Sequence, residues 1–153
     1  MPARVYECDQ SEAKELKKLL SYDPYLDPNL IPKSREYGKE ELDAMSAEER
    51  DAVAKKEAET QEKIRALRGD RLANVIFARQ ECDLREGPSI GADGSKSYLY
   101  VKAPEDFFGP AEEKLGKEFK TVKRAPLDIE KKFIAMKEEE ESQANAGFGS
   151  IFG

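Results

Sequence analysis

The side chains with the greatest chemical reactivity in this sequence are two cysteines, Cys8 and Cys82. Cys8 comes near the end of a predicted strand and just before a predicted helix start, a position that lowers the pKa of a thiol. Cys82 falls in a predicted strand of mixed polar and apolar residues, where cysteine is more often a small buried side chain than a reactive thiol. If adjacent strands carry the two residues, they form a redox-sensitive pair, and they are the redox candidates of this chain.

Catalytic and metal chemistry find little support elsewhere. The chain has no histidine, so it lacks the commonest general base and the commonest metal ligand. Two cysteines alone cannot complete a structural zinc site, and the loop over 86–97 matches neither a calcium loop nor a phosphate loop. We therefore expect no catalytic residue, no metal and no cofactor, and a protein that is not an enzyme. An acid–base enzyme built from carboxylates, tyrosine or lysine stays open, but no pair is specific enough to name.

The last residues form a distinctive segment, ANAGFGSIFG, which follows the acidic run KEEEESQ over 137–143. We expect the acidic run to be helical at most near its start and the glycine-rich tail to lack regular structure by itself. The tail is either a disordered terminus, a strap on its own domain or a peptide that docks on a partner. Docking is favoured because disordered ends are usually polar, and its candidate anchors are Phe148, Ile151 and Phe152.

A second candidate binding segment, over 21–38, contains Pro24, Pro28 and Pro32. Each proline disfavours helix at the preceding residue, which predicts an extended arm. A solvated linker rarely carries this much apolar surface, so the arm should contact its own domain or a partner. Its candidate partner-binding residues are Tyr22, Tyr25, Leu26, Leu30 and Ile31.

The elements that must position these segments belong to an α+β protein. The predicted organisation is a strand and helix over 1–20, the arm over 21–38, one charged helix over 39–68, a core domain over 70–136, and the spacer and tail over 137–153. Within the core we expect the order β-β-α-β-α, with a first strand over 74–85 and a mobile connection after it. The strands over 98–102 and 121–124 should run parallel in one sheet, with helices on one face.

Charge and hydropathy narrow the partner classes. The net charge is −6 and the basic residues are interspersed with acidic ones, so we expect no nucleic-acid binding. No apolar run approaches the ~20 residues of a membrane span, and MPARVYECDQ lacks the apolar core of a signal peptide. The sequence therefore predicts a cytoplasmic protein without direct membrane insertion.

The stretch FARQECDLREGPSIGADGSKSYLYVKAPEDFF and the ending NAGFGSIFG resemble small cytosolic proteins of methanogenic archaea that accompany large methanogenesis complexes. One such complex is the corrinoid-dependent membrane methyltransferase. The resemblance covers roughly the C-terminal half and implies an accessory or protective subunit of a cofactor-bearing complex. It implies no particular site residues, because no diagnostic motif supports it.

Two functions follow from these patterns. The first is a non-catalytic accessory or regulatory subunit that docks on a larger protein complex through the tail and the arm. The alternative is a small ligand- or redox-responsive sensor that uses the 86–97 loop or the two cysteines.

Overall fold

The computed structural model describes residues 1–33 and 35–152, without the side chains of residues 148–152. The described residues form an α+β protein, which confirms the predicted fold class. The chain divides into two compact units, one over 1–21 and 77–153 and the other over 22–76.

The first unit is built on a four-stranded sheet in the order β2-β3-β1-β4. Its strands are β1 (Ala3–Asp9), β2 (Glu81–Glu86), β3 (Lys96–Lys102) and β4 (Lys123–Arg124). Every hydrogen-bonded neighbour pair is antiparallel, and Val5 of β1 lies opposite Tyr100 of β3. β3 and β4 point the same way because each is antiparallel to β1, but β1 lies between them, so they do not pair as parallel neighbours.

Three helices complete this unit: α1 (Gln10–Leu20), α4 (Glu105–Glu118) and α5 (Leu127–Phe152). Successive side chains of a strand point to opposite faces of the sheet. Val5 and Tyr100 belong to the core cluster that contains Phe133 of α5. Arg4, on the other face, donates to Glu112 of α4. The expectation of helices on one face is therefore wrong, because α5 and α4 cover opposite faces.

Two local expectations for this unit also change. The strand predicted from residue 74 begins only at Glu81, because Phe77–Arg79 form a 3₁₀ turn. The connection that the sequence predicts to be mobile is a folded turn, since Gly87–Ile90 form a 3₁₀ helix and Ile90 is 1% exposed. Ile90 anchors the connection in the core beside Phe133.

The acidic run belongs to α5, contrary to the expectation that helix would stop near its start. Side chains of this helix are tied to the sheet: Lys137 Nζ lies 3.1 Å from Asp83, and Glu140 accepts from Arg85 at 2.8 Å. Glu141 lies 4.0 Å from Lys102. These contacts compensate for the repulsion among neighbouring glutamates, so helix is retained.

The second unit contains α2 (Lys39–Ala44) and α3 (Ala47–Arg68) in place of the single predicted helix over 39–68. Met45 and Ser46 have extended backbone, and Ser46 Oγ accepts from the Glu49 amide at 3.2 Å. The Ser-Ala-Glu-Glu signal therefore marks a new helix start. Arg50 donates to the carbonyls of Leu42 and Asp43, which occupies two carbonyls at the end of α2.

Candidate functional site

Residues 23–31 of the arm form hydrogen-bonded turns and not the extended path that the prolines predict. Pro24–Leu26 form a 3₁₀ turn, because Asp23 Oδ1 accepts from the Tyr25 amide at 3.0 Å. Asp27 then accepts through its side chain from the Asn29 amide at 2.9 Å. Aspartates that bind the backbone two residues on are typical of tight turns, and here they bend the chain between the prolines.

Two tyrosine hydroxyls further constrain the arm. Tyr22 donates to Asp27 Oδ2 at 2.6 Å, and this hydrogen bond raises the pKa of Tyr22 to about 12. Tyr25 donates to Asn74 Oδ1 at 2.5 Å, which ties the arm to the other end of the same unit. Asn74 is in turn held by its amide group, which donates to the carbonyl oxygens of Leu67 and Asp70. The arm is therefore braced at both tyrosines.

The braced arm leaves part of its apolar surface in solvent. Leu26 is 79% exposed, Leu30 is 43% exposed and Tyr22 is 40% exposed, whereas Tyr25 and Ile31 are half-buried. An exposed leucine alone means little, but three exposed apolar side chains within nine residues of one segment are candidate contacts for a partner. We call Tyr22, Leu26 and Leu30 the arm patch. The structure thus divides the predicted binding residues into three that are accessible and two that are mainly structural.

The tail anchors cannot be placed in the same way. Phe148, Ile151 and Phe152 lie outside the residues whose side chains are described. The preceding residues of α5, from Ser142 to Gly147, are all exposed. The residues that lead into the predicted anchors are therefore accessible to a partner.

The two cysteines are not brought together. Cys8 lies on β1 opposite Ser97, and Cys82 lies on β2 opposite Val101, so β3 separates them. The two cysteines lie two strand spacings of ~4.8 Å apart across the sheet and are offset by four residues of ~3.3 Å along it. Their Cα atoms are therefore much farther apart than the ~7 Å limit for a disulfide. Burial is the main factor that raises the pKa of Cys8 to about 11 and that of Cys82 to about 12, so the lowered thiol pKa expected near the helix start is not found.

Sequence reasoning missed an ion network that crosses β1, β4 and two helices. Arg4 Nη1 donates to Glu112 at 3.0 Å, Arg124 Nη1 lies 3.8 Å from the same carboxylate, and Arg124 Nη2 donates to Glu130 at 2.8 Å. The Tyr6 hydroxyl is buried nearby without a hydrogen-bond partner among the described residues. Burial, followed by the charge of Glu112, raises the pKa of Tyr6.

A cavity of about 120 Å³ adjoins this network. It is lined by Tyr6, Glu112, Leu115, Val122, Lys123 and Arg124. The arginines and glutamates pair with one another, so the arrangement stabilises the sheet edge and presents no isolated base beside a nucleophile. The signal in the sequence that pointed to it was Arg4, a charged residue between Ala3 and Val5 at the start of the first strand.

Neither a metal centre nor a membrane span emerges from the described part of the chain. There, no group of three or more cysteine, aspartate or glutamate side chains is placed to bind a metal ion. Its helices include none with the length and apolar character needed to cross a bilayer. Comparisons with models of protein families, with curated proteins and with solved structures found no match to this chain.

Proposed function

We propose that this protein is a non-catalytic accessory or regulatory subunit that docks on a larger protein complex through the arm patch and the C-terminal tail. The observation that carries the proposal is the exposure of Tyr22, Leu26 and Leu30 on a segment braced by its own hydrogen bonds. A pre-ordered apolar segment loses little conformational entropy on binding, which favours docking on a complementary groove.

The rest of the second unit supports docking and offers little that resembles a reaction site. α3 spans 22 residues and none of them is buried. Its acidic and basic side chains are interspersed, as in a solvated helix. Such a helix offers polar side chains to a partner of the same unit, and protein interfaces commonly combine an apolar centre with a polar rim.

The partner chemistry follows from the same surface. An apolar patch on a chain of net charge −6 suits an apolar groove on a protein rather than a phosphate backbone. The resemblance noted for the C-terminal half makes a cofactor-bearing methyltransferase complex at the membrane the first partner to test. In that setting the protein would act from the cytoplasm as a protective or regulatory subunit.

The experiment places a photo-crosslinking amino acid at position 26 and, as a matched control, at position 127. Leu127 is the right control because it is an exposed leucine, 63% accessible, in the other unit of the chain. We expect a discrete crosslinked partner from position 26 and none from position 127. Equal crosslinking at both positions, or none at position 26 in cells that contain the candidate complex, contradicts the arm's role.

The tail is tested separately, since the two segments contribute independently. A chain ending at Gln143 lacks all three predicted anchors, and Leu26→Asp places a charge in the arm patch. We expect each change to weaken recovery of the complex by at least about tenfold and their combination to abolish it. Unchanged recovery after truncation would remove the tail from the proposal and leave the arm.

A further inference from the structure

The sheet has two edges, and among the described residues of the first unit only one of them is closed by side chains and loop backbone. Beyond the two-residue strand β4, Val5 N donates to Glu130 Oε2 at 3.0 Å and Asp9 N donates to Thr121 Oγ1 at 3.0 Å. Ala125 N also donates to the Val5 carbonyl at 3.0 Å. Side chains and loop backbone thus form hydrogen bonds with the N–H and C=O groups on the outer side of β1, where β4 is too short to do so.

The opposite edge, β2, has no comparable closure. Among the described residues, the only side-chain hydrogen bond to the backbone of β2 is from Ser89 Oγ to the Glu86 carbonyl, at the end of the strand. In an antiparallel ladder, alternate residues direct their N–H and C=O groups away from the neighbouring strand. Residues 82–85 are also half-exposed, in contrast to the buried middle of β3. An unpaired six-residue edge is a template for another strand.

The charge pattern of β2 selects which strand fits. In an antiparallel pair of two β2 strands centred on Leu84, Asp83 of each copy lies opposite Arg85 of the other. A register centred between Asp83 and Leu84 would instead set Glu81 opposite Glu86, and a parallel in-register pair would set Asp83 opposite Asp83. Opposite charges across a ladder stabilise it and like charges destabilise it. The Leu84-centred register is therefore the favoured one.

We propose that two copies of this chain associate through β2, antiparallel about Leu84, to form one continuous eight-stranded sheet. Within one copy Asp83 and Arg85 are already 2.8 Å apart, and both side chains remain 24% exposed. Each can thus take a partner from the second copy beside its present one. β2 shares no residue with the arm patch or the tail, so the inference is independent of the proposed docking function.

The area of such an interface sets its strength. A single added strand contributes backbone hydrogen bonds but less than the ~1,000 Å² typical of a stable interface. The dimer is accordingly reversible and depends on concentration. Sedimentation velocity of the full chain over a wide concentration range should show a shift from monomer to dimer, and a monomer throughout overturns the inference.

Charge reversal tests the register. Asp83→Arg leaves two arginines on the strand and Arg85→Asp leaves two aspartates, so each variant opposes like charges in its own dimer. We expect each to raise the dissociation constant at least about tenfold. An equimolar mixture should regain a mixed dimer, because two arginines then face two aspartates. Glu62→Arg on α3 is the control and should dimerise as the wild type does.

The outcomes separate the alternatives. A wild-type dimer that survives both reversals uses another surface and refutes the β2 interface. If circular dichroism shows that both variants are folded and they still fail to form the mixed dimer, the proposed register is refuted. If either variant unfolds, hydrogen exchange of the wild type decides: amides of residues 81–86 must be better protected at high protein concentration than at low, and equal protection rejects the interface.

Discussion

Glu130 closes the sheet beside β4, and its removal should destabilise the first unit by a predictable amount. The residue is 8% exposed and accepts from the amide of Val5, which is 0% exposed. Glu130→Ala leaves that amide buried without an acceptor, which costs about 1–3 kcal/mol. It also breaks the pair with Arg124, and because that guanidinium is 42% exposed, its loss adds at most about 1 kcal/mol. We therefore expect a total loss of about 1–4 kcal/mol in the free energy of unfolding.

Glu130→Gln isolates the two contributions. The amide oxygen of glutamine can still accept from Val5 N, so only the charge pairing with Arg124 is lost, and the cost should be about 1 kcal/mol or less. Urea denaturation followed by circular dichroism measures both variants, and an unchanged m-value shows that the same surface is exposed on unfolding. The control is Glu62→Ala, which removes a surface ion pair with Arg65. The side chains of Glu62 and Arg65 are 71% and 79% exposed, so the free energy of unfolding should stay unchanged.

The result that refutes this reasoning is specific. If Glu130→Ala unfolds within about 0.5 kcal/mol of the wild type, the Val5 amide must find another acceptor and the closure is not needed. If Glu130→Gln is as damaging as Glu130→Ala, the charge and not the hydrogen bond to the strand dominates. Either outcome would also weaken the contrast between the two sheet edges on which the dimer inference depends.

Three further predictions concern the glycines, the thiols and one aspartate. Gly87→Ala should destabilise by about 1–3 kcal/mol, since an added Cβ would lie 1.8 Å from the Asp93 carbonyl oxygen; Gly116→Ala, in α4 with open space around it, should instead stabilise by about 0.5–1 kcal/mol in the same urea assay. Cys8 and Cys82 should react slowly with a thiol reagent at neutral pH and quickly in urea, because burial raises both pKa values; fast native labelling would contradict this. Burial acts to raise the pKa of Asp83, but hydrogen bonds from Arg85 and Lys137 outweigh it and hold that pKa below its ordinary value. The ionised carboxylate therefore stabilises the folded protein above about pH 4, and this stabilisation is lost as the pH falls through the lowered pKa. Asp83→Asn should flatten that part of the stability–pH curve, and an unchanged slope would show that the carboxylate is not responsible.

Some features could be predicted because the signal is local. The fold class follows from alternating strand patterns and charged helical runs, and the start of α3 follows from the serine hydroxyl that accepts from the Glu49 amide. The apolar side chains of the arm were also visible in the sequence between its prolines, but which of them are exposed was not. The bends themselves were missed, since they depend on the carboxylates of Asp23 and Asp27 turning back to nearby backbone amides.

Other errors arose where local preference competes with distant contacts. Repulsion within the acidic run of α5 disfavours a helix when the run is considered alone. Arg85 of the sheet, more than fifty residues away in sequence, and Lys137 of the helix itself supply the compensating positive charge. The sequence did contain a signal that helices cover both faces of the sheet. The run from Tyr98 to Val101 is continuously apolar, which is typical of a strand buried on both sides. The prediction of helices on one face did not take this run into account.

The sequence by itself determined the α+β class and the solvated character of α3, since composition and short-range hydrogen bonding decide these. Only the tertiary structure decided that Cys8 and Cys82 lie apart, that Glu130 reaches the amide of Val5, and that, among the described residues, the β2 edge has no closure comparable to that beside β4. The physical reason is that strand order brings together residues as much as 125 positions apart, and it depends on burial of the whole core rather than on any local preference.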